Sequence, residues 1–584
     1  MKKILVLAPH PDDEILLAGA LIYTIKNDFE IYVGYMTNGD SKSNLGEIRI
    51  NEAVESLKVL GVKESHIEFL GYGNNWIGNK HIYNMDEEEI ATSMSNKQKT
   101  YGTYNYPEFA MKNYGKSNDY TRKNLKKDIS AVIEKIWPDV IICVDYDSHP
   151  DHRALSLLFE EVMGALLKKQ IGYTPIVLKK FAYAGMYYGV NDYYESPFKM
   201  TEKGSNVELL DMRFELDNPT YTWEERISLK VAKKAKTRSI YNNILYKAAL
   251  KHKSQKIAER TGSFANGDAV YWQRRTDSIT YRAKISATSG NVKYVNDFKR
   301  FDSPNVIDSA KGVFSLSSAA WIPEERDIEK KLFLDFENKV SVSRIIIYEN
   351  IKPEDNIIRA RIIFDTGKVI DINNICHTGG KTEVLLDTIH NVKHMEFQIL
   401  QYTGKECGIA ELEVYETVGE QEIPFRKLEN KKKKKRTRYN TVGEFFDRFI
   451  HGINMNNQVH GKYYLQTKYL TKWSRISVKR IVEALINNNI HSVGLYGVGD
   501  LGIVVGHDLQ KNGMNVVFGI DNLAGTIMAD FPIYSKDNVI MCRECDAIII
   551  TVISEYMLIK KELREITGNK CILLELDEII CMGY

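Results

Sequence analysis

The sequence lacks the features that would place it among membrane, secreted or nucleic-acid-binding proteins. It contains no run of about 20 apolar residues that could cross a membrane. The apolar stretch that precedes His10 is too short for the core of a signal peptide. Net charge is only +2, from 79 basic and 77 acidic residues, so no overall field favours nucleic acid or an anionic membrane. We therefore expect a cytoplasmic protein without a nucleic-acid partner.

Cysteine is also scarce, with seven in 584 residues. An odd number in a chain of this length indicates reduced thiols rather than a disulfide framework. Cys542 and Cys545 form a single Cys-x-x-Cys pair, which without a second pair is more typical of chance than of a metal site. The length exceeds what one hydrophobic core supports and predicts about three to five domains.

Two polar motifs each follow an apolar run that is typical of a buried strand. Lys2–Ala8 leads into Pro9–Glu14, after which an apolar helix is predicted, and Trp137–Val144 leads into Asp145–Arg153. Open α/β sheets bind their ligands at the carboxyl ends of the strands. We therefore expect the two motifs to contribute to one crevice.

The motifs contain the residue types that zinc-dependent hydrolysis requires. A catalytic zinc ion needs three nitrogen or carboxylate ligands, an open position for water, and a nearby carboxylate that accepts the proton of that water. His10, Asp13 and His152 would hold the metal, and Asp12 would be the general base. The two motifs together therefore predict a complete metal-dependent active site.

Two further residues of the second motif have candidate roles. His149 would stabilise the oxyanion or protonate the leaving group, and Asp151 would hold an imidazole in one tautomer. A single His-Pro-Asp sequence more often caps a helix, because aspartate is a favourable N-cap and carboxylates are favoured at helix N-termini. The presence of two such motifs after two strands favours the metal site.

These residues also carry a family resemblance. Ala8–Glu14 together with His149–His152 resembles the LmbE/PIG-L family of zinc-dependent N-deacetylases, which remove acetyl groups from N-acetylated amino sugars. The resemblance covers the first half of the chain. It implies the same zinc ligands, with Asp12 as general base and His149 as the electrophilic or acidic histidine.

The family pattern extends beyond the two motifs. Asn38, in Thr37-Asn38-Gly39 after the second strand, and Arg49, in the next helix, are implied as substrate contacts. Arg49 could equally be a solvated or ion-paired structural residue. His252 begins a His-x-Ser-Gln signature on a predicted helix and could serve only to satisfy buried backbone groups. The long stretch 73–120 predicts a lid or a substrate-contacting loop.

The pattern of elements divides the chain into four parts. Residues 1–285 form the deacetylase-like α/β domain, and residues 286–418 have the short alternating strands of a β-sandwich. The sandwich resembles discoidin-type, galactose-binding-like jelly rolls, so glycan binding and a purely structural role are both open. Residues 419–445 contain Lys431–Lys435 and are predicted to be a solvated basic linker.

Residues 446–584 contain a nucleotide-type glycine motif. Gly497, Gly499 and Gly502 lie between a predicted strand and a helix, and Asp521 ends the next strand. This arrangement is the dinucleotide-binding fingerprint, in which glycines allow close approach of a phosphate to a helix N-terminus. It predicts a Rossmann-like module for a nucleotide or nucleotide-sugar, with a purely structural βαβ unit as the alternative.

The sequence thus predicts a multidomain protein of class α/β + β + α/β. Its predicted function is zinc-dependent removal of the acetyl group from an N-acetylated amino sugar, of the N-acetylglucosamine type, in a glycan or glycoconjugate precursor. One alternative is a non-catalytic scaffold that binds glycans or nucleotide-sugars through a degenerate deacetylase domain. The intact set of polar residues argues against it. Another alternative is an NAD-dependent enzyme whose catalytic part is the C-terminal domain.

Overall fold

The first part of the chain alternates strand and helix, as the apolar pattern predicts. In the computed structural model the successive elements are β1 (Lys3–Ala8), α1 (Ala20–Ile25), β2 (Glu30–Thr37), α2 (Leu45–Leu60), β3 (Ile67–Tyr72), α3 (Phe109–Tyr114), α4 (Arg122–Ile136), β4 (Val140–Val144), α5 (Pro150–Lys169) and β5 (Ile176–Lys180). The structure describes residues 1–41, 45–75, 80–183, 187–188, 202–203, 220–221, 225–237, 240–260, 264–265, 267–307, 316–317, 319–352, 354–373, 375–376, 379–425, 469–470, 473–474, 476–522, 524, 529–535, 544–552, 556–567 and 571–582.

The remaining elements of this domain complete its sheet. They are the two-residue strands β6 (Tyr187–Tyr188) and β7 (Glu202–Lys203), which pair with each other, then β8 (Ile227–Leu229), α6 (Ile244–Ala249) and β9 (Ala269–Arg274). The main sheet has the order β3-β2-β1-β4-β5-β9-β8. Its first five strands are parallel, whereas β9 is antiparallel to both β5 and β8. β9 therefore extends the sheet beyond its parallel part.

The two motif-bearing strands are neighbours in this sheet. β1 pairs in parallel with β4, from Ile4 opposite Val140 to Leu7 opposite Cys143. Both strands are buried along nearly their whole length, since they lie in the middle of the sheet. The residues that follow Ala8 and Val144 therefore leave the sheet side by side at the same edge.

Local sequence fixes how each motif enters its helix. Pro150 is the first residue of α5, His149 is its N-cap, and Asp151 lies in the first turn, which matches the preference for proline and carboxylates at helix starts. The first motif is followed by a π-helical turn, Ile15–Gly19, before α1 begins. The α-helix predicted to start at residue 15 thus begins five residues later, and such π-turns occur often at functional sites.

Residues 284–415 form the predicted antiparallel β-sandwich. Its strands are β10 (Lys284–Ala287), β11 (Lys331–Glu349), β12 (Ile357–Phe364), β13 (Val369–Asn373), β14 (Thr382–Tyr402) and β15 (Ile409–Tyr415). The sheet order is β10-β11-β14-β12-β13, and β15 pairs with β11. β10 begins just before the predicted boundary at residue 285, because it pairs with β11 rather than with the first sheet. Trp321 is fully buried in the core between the strands.

The C-terminal part contains a separate sheet of five parallel strands. Its elements are α7 (Val478–Asn487), β16 (Ser492–Tyr496), α8 (Asp500–Lys511), β17 (Asn515–Ile520), β18 (Ile533–Tyr534), β19 (Ala547–Ile550), α9 (Tyr556–Thr567), β20 (Ile572–Glu575) and α10 (Leu576–Met582). The strand order is β18-β17-β16-β19-β20. Earlier in the chain, short 3-10 turns lie at Glu64–His66, Ile82–Asn84, Lys233–Ala235, Ile240–Asn242, Ile257–Arg260, Ile279–Arg282 and Val292–Tyr294.

The chain divides into two compact units. The first comprises residues 1–237 and 242–431, and it contains both the α/β domain and the β-sandwich; the second comprises residues 238–241 and 432–584. Of the predicted linker 419–445, residues 426–445, which include Lys431–Lys435, lie outside the described residues. None of the helices that the structure describes is both long enough and apolar enough to span a bilayer.

Candidate metal centre and active site

The two motifs meet at the carboxyl edge of β1 and β4. The ring centroids of His10, His149 and His152 are 4.6 to 5.3 Å apart. One potential ligand nitrogen from each ring lies within 4.8 Å of the others. The structure therefore brings together the histidines of two segments that are about 140 residues apart in sequence, because neighbouring parallel strands end at the same edge.

The carboxylate of Asp13 lies at the centre of this cluster. Its Oδ2 is 2.9 Å from His10 Nδ1 and 3.2 Å from His152 Nε2. Asp13 Oδ1 is buried and has no hydrogen-bond partner among the described residues, and the contact of His152 Nε2 with Asp13 Oδ2 lacks good hydrogen-bond geometry. Buried polar atoms are rarely left unsatisfied, so this poorly satisfied cluster of ligand atoms fits a bound cation. The donor set of two imidazoles and one carboxylate suits zinc.

Two outer carboxylates hold the imidazoles from behind. Asp151 Oδ2 is 3.0 Å from His10 Nε2, and Asp147 Oδ2 is 2.9 Å from His152 Nδ1. Each histidine thus turns its other ring nitrogen towards Asp13, which is the usual arrangement behind metal-ligating histidines. Asp151 has the orienting position that the sequence predicts. Asp147 orients His152 in the same way, but no role was predicted for it. Its place two residues before His149 could have indicated one.

Charges in the cluster favour a cation. Burial lowers the pKa of His152, but the carboxylates of Asp147 and Asp13 raise it to about 10 overall. Burial raises the pKa of Asp13, and the charges and hydrogen bonds of His152 and His10 outweigh this effect and hold the pKa well below its usual range. A metal ion entering the site would displace the proton from His152, because a ligating imidazole is neutral.

Asp12 is held in a strained backbone conformation beside this cluster. Its φ is 147°, a region that residues with a side chain rarely adopt and that occurs mainly at functional sites. Arg49 Nη2 donates to Asp12 Oδ1 at 2.8 Å, and Glu14 Oε2 accepts from the Asp12 backbone N–H at 2.8 Å. Burial raises the pKa of Asp12 and the charge of Arg49 lowers it, leaving it above its ordinary value.

Arg49 binds the first motif rather than lying on the surface. Besides Asp12, its guanidinium donates to the carbonyl of Pro11 at 3.0 and 3.3 Å and to that of Gly39 at 3.1 Å. Of the roles predicted for Arg49, the structure shows the structural ion pair. A contact between Arg49 and substrate stays a prediction. Asn38 is fully buried, with Nδ2 donating to the Tyr101 carbonyl at 2.7 Å, while its Oδ1 has no partner among the described residues.

The orientation of His149 follows from its role as N-cap of α5. Its Nδ1 accepts the backbone N–H of Asp151 at 3.2 Å. Burial, and then the charges of His152 and His10, lower the pKa of His149 to about 2, so the ring is neutral. A neutral imidazole whose Nδ1 accepts must carry its proton on Nε2. His149 can therefore donate a hydrogen bond from Nε2.

The His-x-Ser-Gln signature lies in a turn after α6, not on a helix as predicted. α6 ends at Ala249, and His252 follows in the turn, where its Nε2 is 2.8 Å from Glu14 Oε1. Ser254 contacts Glu52 through its backbone N–H and its hydroxyl, at 2.9 and 2.6 Å. The helix cannot continue because these contacts tie the turn to the first motif and to α2. His252 thus supports Glu14, which in turn holds the backbone of Asp12.

Part of the predicted lid, residues 73–120, forms hydrogen bonds with Asp40 and with Asp151 of the second motif. Asp40 Oδ1 accepts the backbone N–H of Asn74 at 2.7 Å, and its Oδ2 accepts from the hydroxyls of Ser93 and Ser95. His81, at the start of the 3-10 turn Ile82–Asn84, is fully buried, and its Nε2 is 2.9 Å from Asp151 Oδ1. Sequence reasoning missed His81, because it lies outside both motifs and 70 residues from its partner.

In the C-terminal unit the three motif glycines have three different surroundings. Gly497 has a φ of +92°, which favours glycine in the turn after β16. A Cβ on Gly502 would lie 2.3 Å from the Gly497 carbonyl oxygen, whereas a Cβ on Gly499 would meet nothing within 4 Å. Gly499 is the N-cap of α8, and Asp521 follows β17 directly. These surroundings are compatible with the predicted glycine motif, in which the glycines allow a tight turn, close packing and an open approach, and nucleotide binding there stays a prediction.

Comparisons with known protein families find matches in two parts of the chain. Residues 5–163 match a family model described as GlcNAc-PI de-N-acetylase, PIG-L. Residues 279–415 match a model described as a domain of unknown function, DUF7402. No curated protein matches the chain significantly.

Solved structures show similarity to parts of the chain. The N,N'-diacetylchitobiose deacetylase of Pyrococcus horikoshii, complexed with its inhibitor MPG, is 24% identical over 32% of this chain and 62% of its own, with a TM-score of 0.21. This chain thus spans less than two thirds of that enzyme's length. A family 32 carbohydrate-binding module of Clostridium perfringens NanJ, in complex with galactose, is 16% identical over 24% of this chain and 97% of its own, with a TM-score of 0.18.

A chitosan-binding module from a chitosanase/glucanase of Paenibacillus sp. IK-5 is 13% identical over 24% of this chain and 98% of its own, with a TM-score of 0.17. Of these comparisons, the family model bears most directly on the candidate site, because residues 5–163 include both motifs. The predicted resemblance of the N-terminal domain to the PIG-L family of de-N-acetylases is thereby confirmed.

Proposed function

We propose that the protein is a metal-dependent amide hydrolase that removes the acetyl group from an N-acetylated amino sugar. The single observation that carries the proposal is the convergence of His10 Nδ1 and His152 Nε2 on Asp13 Oδ2, beside a buried Asp13 Oδ1 that has no hydrogen-bond partner among the described residues. The match of residues 5–163 to a de-N-acetylase family supports the substrate class. Zinc is the metal that this ligand set favours.

The residues around the metal ligands have distinct tasks in this mechanism. A bound divalent metal ion supplies a Lewis acid that polarises an acetamide carbonyl and acidifies a water molecule. Asp12 accepts the proton of the attacking water, for which its raised pKa is suitable. His149 donates a hydrogen bond from Nε2 to the developing oxyanion. Asp12 then returns the proton to the amine nitrogen as the C–N bond breaks, which yields acetate and the free amino sugar.

Arg49 and Glu14 position the base in this mechanism. Arg49 fixes one carboxylate oxygen of Asp12, and Glu14 fixes the Asp12 backbone N–H. The strained backbone of Asp12 persists because these contacts and the buried His252–Glu14 pair hold it. A carboxylate held in this way needs little reorganisation when it takes up the proton.

An acetate-release assay tests the proposed function directly. Purified full-length protein, loaded with Zn²⁺, is incubated with N-acetylglucosamine, its nucleotide and lipid conjugates, and N-acetylated oligosaccharides. We expect acetate and a free primary amine in equal amounts from at least one of them, and none after chelation of the metal. Absence of acetate from every substrate by a protein that binds zinc stoichiometrically would favour the non-catalytic scaffold instead.

We further propose that the C-terminal unit binds a nucleotide or nucleotide-sugar at Gly497–Gly502. The observation that favours this role is the open space at Gly499 beside the start of α8, where backbone N–H groups attract an anion. Asp521, at the end of the adjacent strand, is suited to a ribose hydroxyl. Glycan binding by the β-sandwich stays a prediction from its resemblance to galactose-binding-like modules.

Two alanine substitutions separate nucleotide binding from folding in this unit. Gly499→Ala is expected to leave the melting temperature unchanged but to abolish stabilisation by added nucleotide, because its Cβ enters open space beside the helix N-terminus. Gly502→Ala is expected to destabilise the unit by about 1–3 kcal/mol, because its Cβ overlaps the Gly497 carbonyl oxygen. Thermal melting with and without ADP, NAD and a uridine-diphosphate sugar is the measurement. Equal nucleotide stabilisation of the wild type and Gly499→Ala would contradict the proposed site.

A further inference from the structure

His81 lies outside both sequence motifs and contacts the residue that orients His10. Its Nδ1 accepts the backbone N–H of Tyr83 at 3.1 Å, and its Nε2 is 2.9 Å from Asp151 Oδ1. Because Nδ1 accepts, a neutral His81 carries its proton on Nε2 and donates it to Asp151. His81 and Asp151 are both almost completely buried, so water does not replace this hydrogen bond.

This contact determines which nitrogen of His10 faces the metal ligands. Asp151 uses one oxygen for His81 and the other for His10 Nε2, at 3.0 Å. His10 must then carry its proton on Nε2, which leaves the Nδ1 lone pair directed at Asp13. Without His81, one oxygen of a buried carboxylate would lack its partner, and Asp151 would be free to rotate away from His10.

The position of His81 depends in turn on the β-sandwich side of the same compact unit. Asn84, at the end of the 3-10 turn that His81 starts, donates to the Ser303 carbonyl at 2.9 Å and accepts the Val306 backbone N–H at 2.9 Å. In the same turn, the Tyr83 hydroxyl donates to Asp302 and accepts from Lys299 Nζ at 2.7 Å. The segment 299–306 therefore fixes the turn that presents His81.

We propose that His81 is a positioning residue that, through Asp151, holds His10 with Nδ1 directed at the metal, and that segment 299–306 fixes His81. The inference rests on the proposed metal-dependent function and adds a residue from the insertion 73–120 to its machinery. It also makes the insertion 73–120 and segment 299–306, which lies between β10 and β11, part of the support of the metal centre.

Two substitutions of His81 separate positioning of the metal ligand from a local structural role. Glutamine places an amide N–H where Nε2 lies and keeps the donor to Asp151, but it lacks the acceptor for the Tyr83 N–H. Asparagine keeps an acceptor at the Nδ1 position and loses the donor to Asp151. A role as helix cap alone would make asparagine the better replacement, because asparagine is a favourable N-cap.

The measurement is Co²⁺ binding to the full-length apoprotein, followed by its visible absorption spectrum. We expect His81→Asn to lower Co²⁺ affinity about tenfold and to shift the spectrum, because it releases Asp151, and loss of an outer partner such as Asp151 weakens metal binding by about 10–100-fold. His81→Gln is expected to stay closer to the wild type, with acetate release following the same order. Equal affinities for the two variants, or weaker binding by His81→Gln, would overturn the inference. A wild type that binds no Co²⁺ would instead overturn the proposed function itself.

A remote variant tests the contribution of segment 299–306 without altering His81. Asn84→Ala removes three side-chain hydrogen bonds to that segment, to the carbonyls of Ser303 and Pro304 and from the Val306 N–H. It is expected to weaken Co²⁺ binding by a smaller factor than His81→Asn, with the same direction of spectral change. Unchanged Co²⁺ affinity in Asn84→Ala, for a variant with wild-type circular dichroism, would show that the segment does not position His81.

Discussion

Asp12→Asn is expected to bind metal as the wild type does while losing about 10²–10⁴ in kcat, the usual contribution of a general base. Asparagine keeps an oxygen that accepts from Arg49, so the contact that orients this side chain can remain. It cannot accept a proton at working pH, so the attacking water is not activated. None of the ligand atoms that converge on Asp13 belongs to Asp12, so we expect metal content to be unaffected.

Metal content, circular dichroism and acetate release of Asp12→Asn are measured on the same preparation. Asp28→Asn is the matched control, because Asp28 lies in the turn before β2, away from the motifs. It is expected to leave both metal content and kcat unchanged. Normal deacetylation by Asp12→Asn would show that another group takes the proton, and the assignment of the base would be wrong.

His152→Ala is expected to abolish stoichiometric metal binding and, with it, acetate release. His152 Nε2 is one of the converging buried atoms and has no substitute in the motif, since His149 is held as the N-cap of α5. The loss of metal affinity should exceed the about 10–100-fold that follows removal of an outer partner, because a direct ligand disappears. Metal analysis after gel filtration and a Co²⁺ titration measure the effect.

His66→Ala is the matched control for that substitution. His66 stacks on Tyr32 with ring centroids 4.1 Å apart, and its Nδ1 is 3.2 Å from the Ile31 carbonyl oxygen, so it lies outside the cluster. It is expected to retain full metal content and activity. Retention of one tightly bound metal ion by His152→Ala would contradict the proposed ligand set and would point to His149 as a ligand in place of His152.

The sequence predicted which two segments meet at the first site, because the signals for strand ends and helix starts are local. Strand, polar motif and helix start follow one another within a few residues in both halves, and Pro150 and Asp151 suit the first turn of a helix. The parallel pairing of β1 with β4 then brings the two motifs together. The turn and the helix start at the glycines of the C-terminal unit could be predicted in the same way, whereas nucleotide binding there stays a prediction.

The residues that hold the site residues in place could not be predicted from the sequence. His81 meets Asp151 across 70 residues and His252 meets Glu14 across 238, so no local pattern indicates either pair. The roles of Arg49 and Asp147 likewise depended on which backbone carbonyls, N–H groups and imidazoles folding placed within hydrogen-bond distance. The strain at Asp12 is visible only in its backbone angle.

The amino-acid sequence by itself thus determined which residues can hold a metal ion and activate water, because residue type and strand-end position fix those capacities. Only the tertiary structure decided which nitrogen of His10 and of His152 is directed at Asp13 and which groups hold Asp12 in place. The physical reason is that a buried side chain takes its tautomer and orientation from whichever hydrogen-bond partners the fold delivers to it.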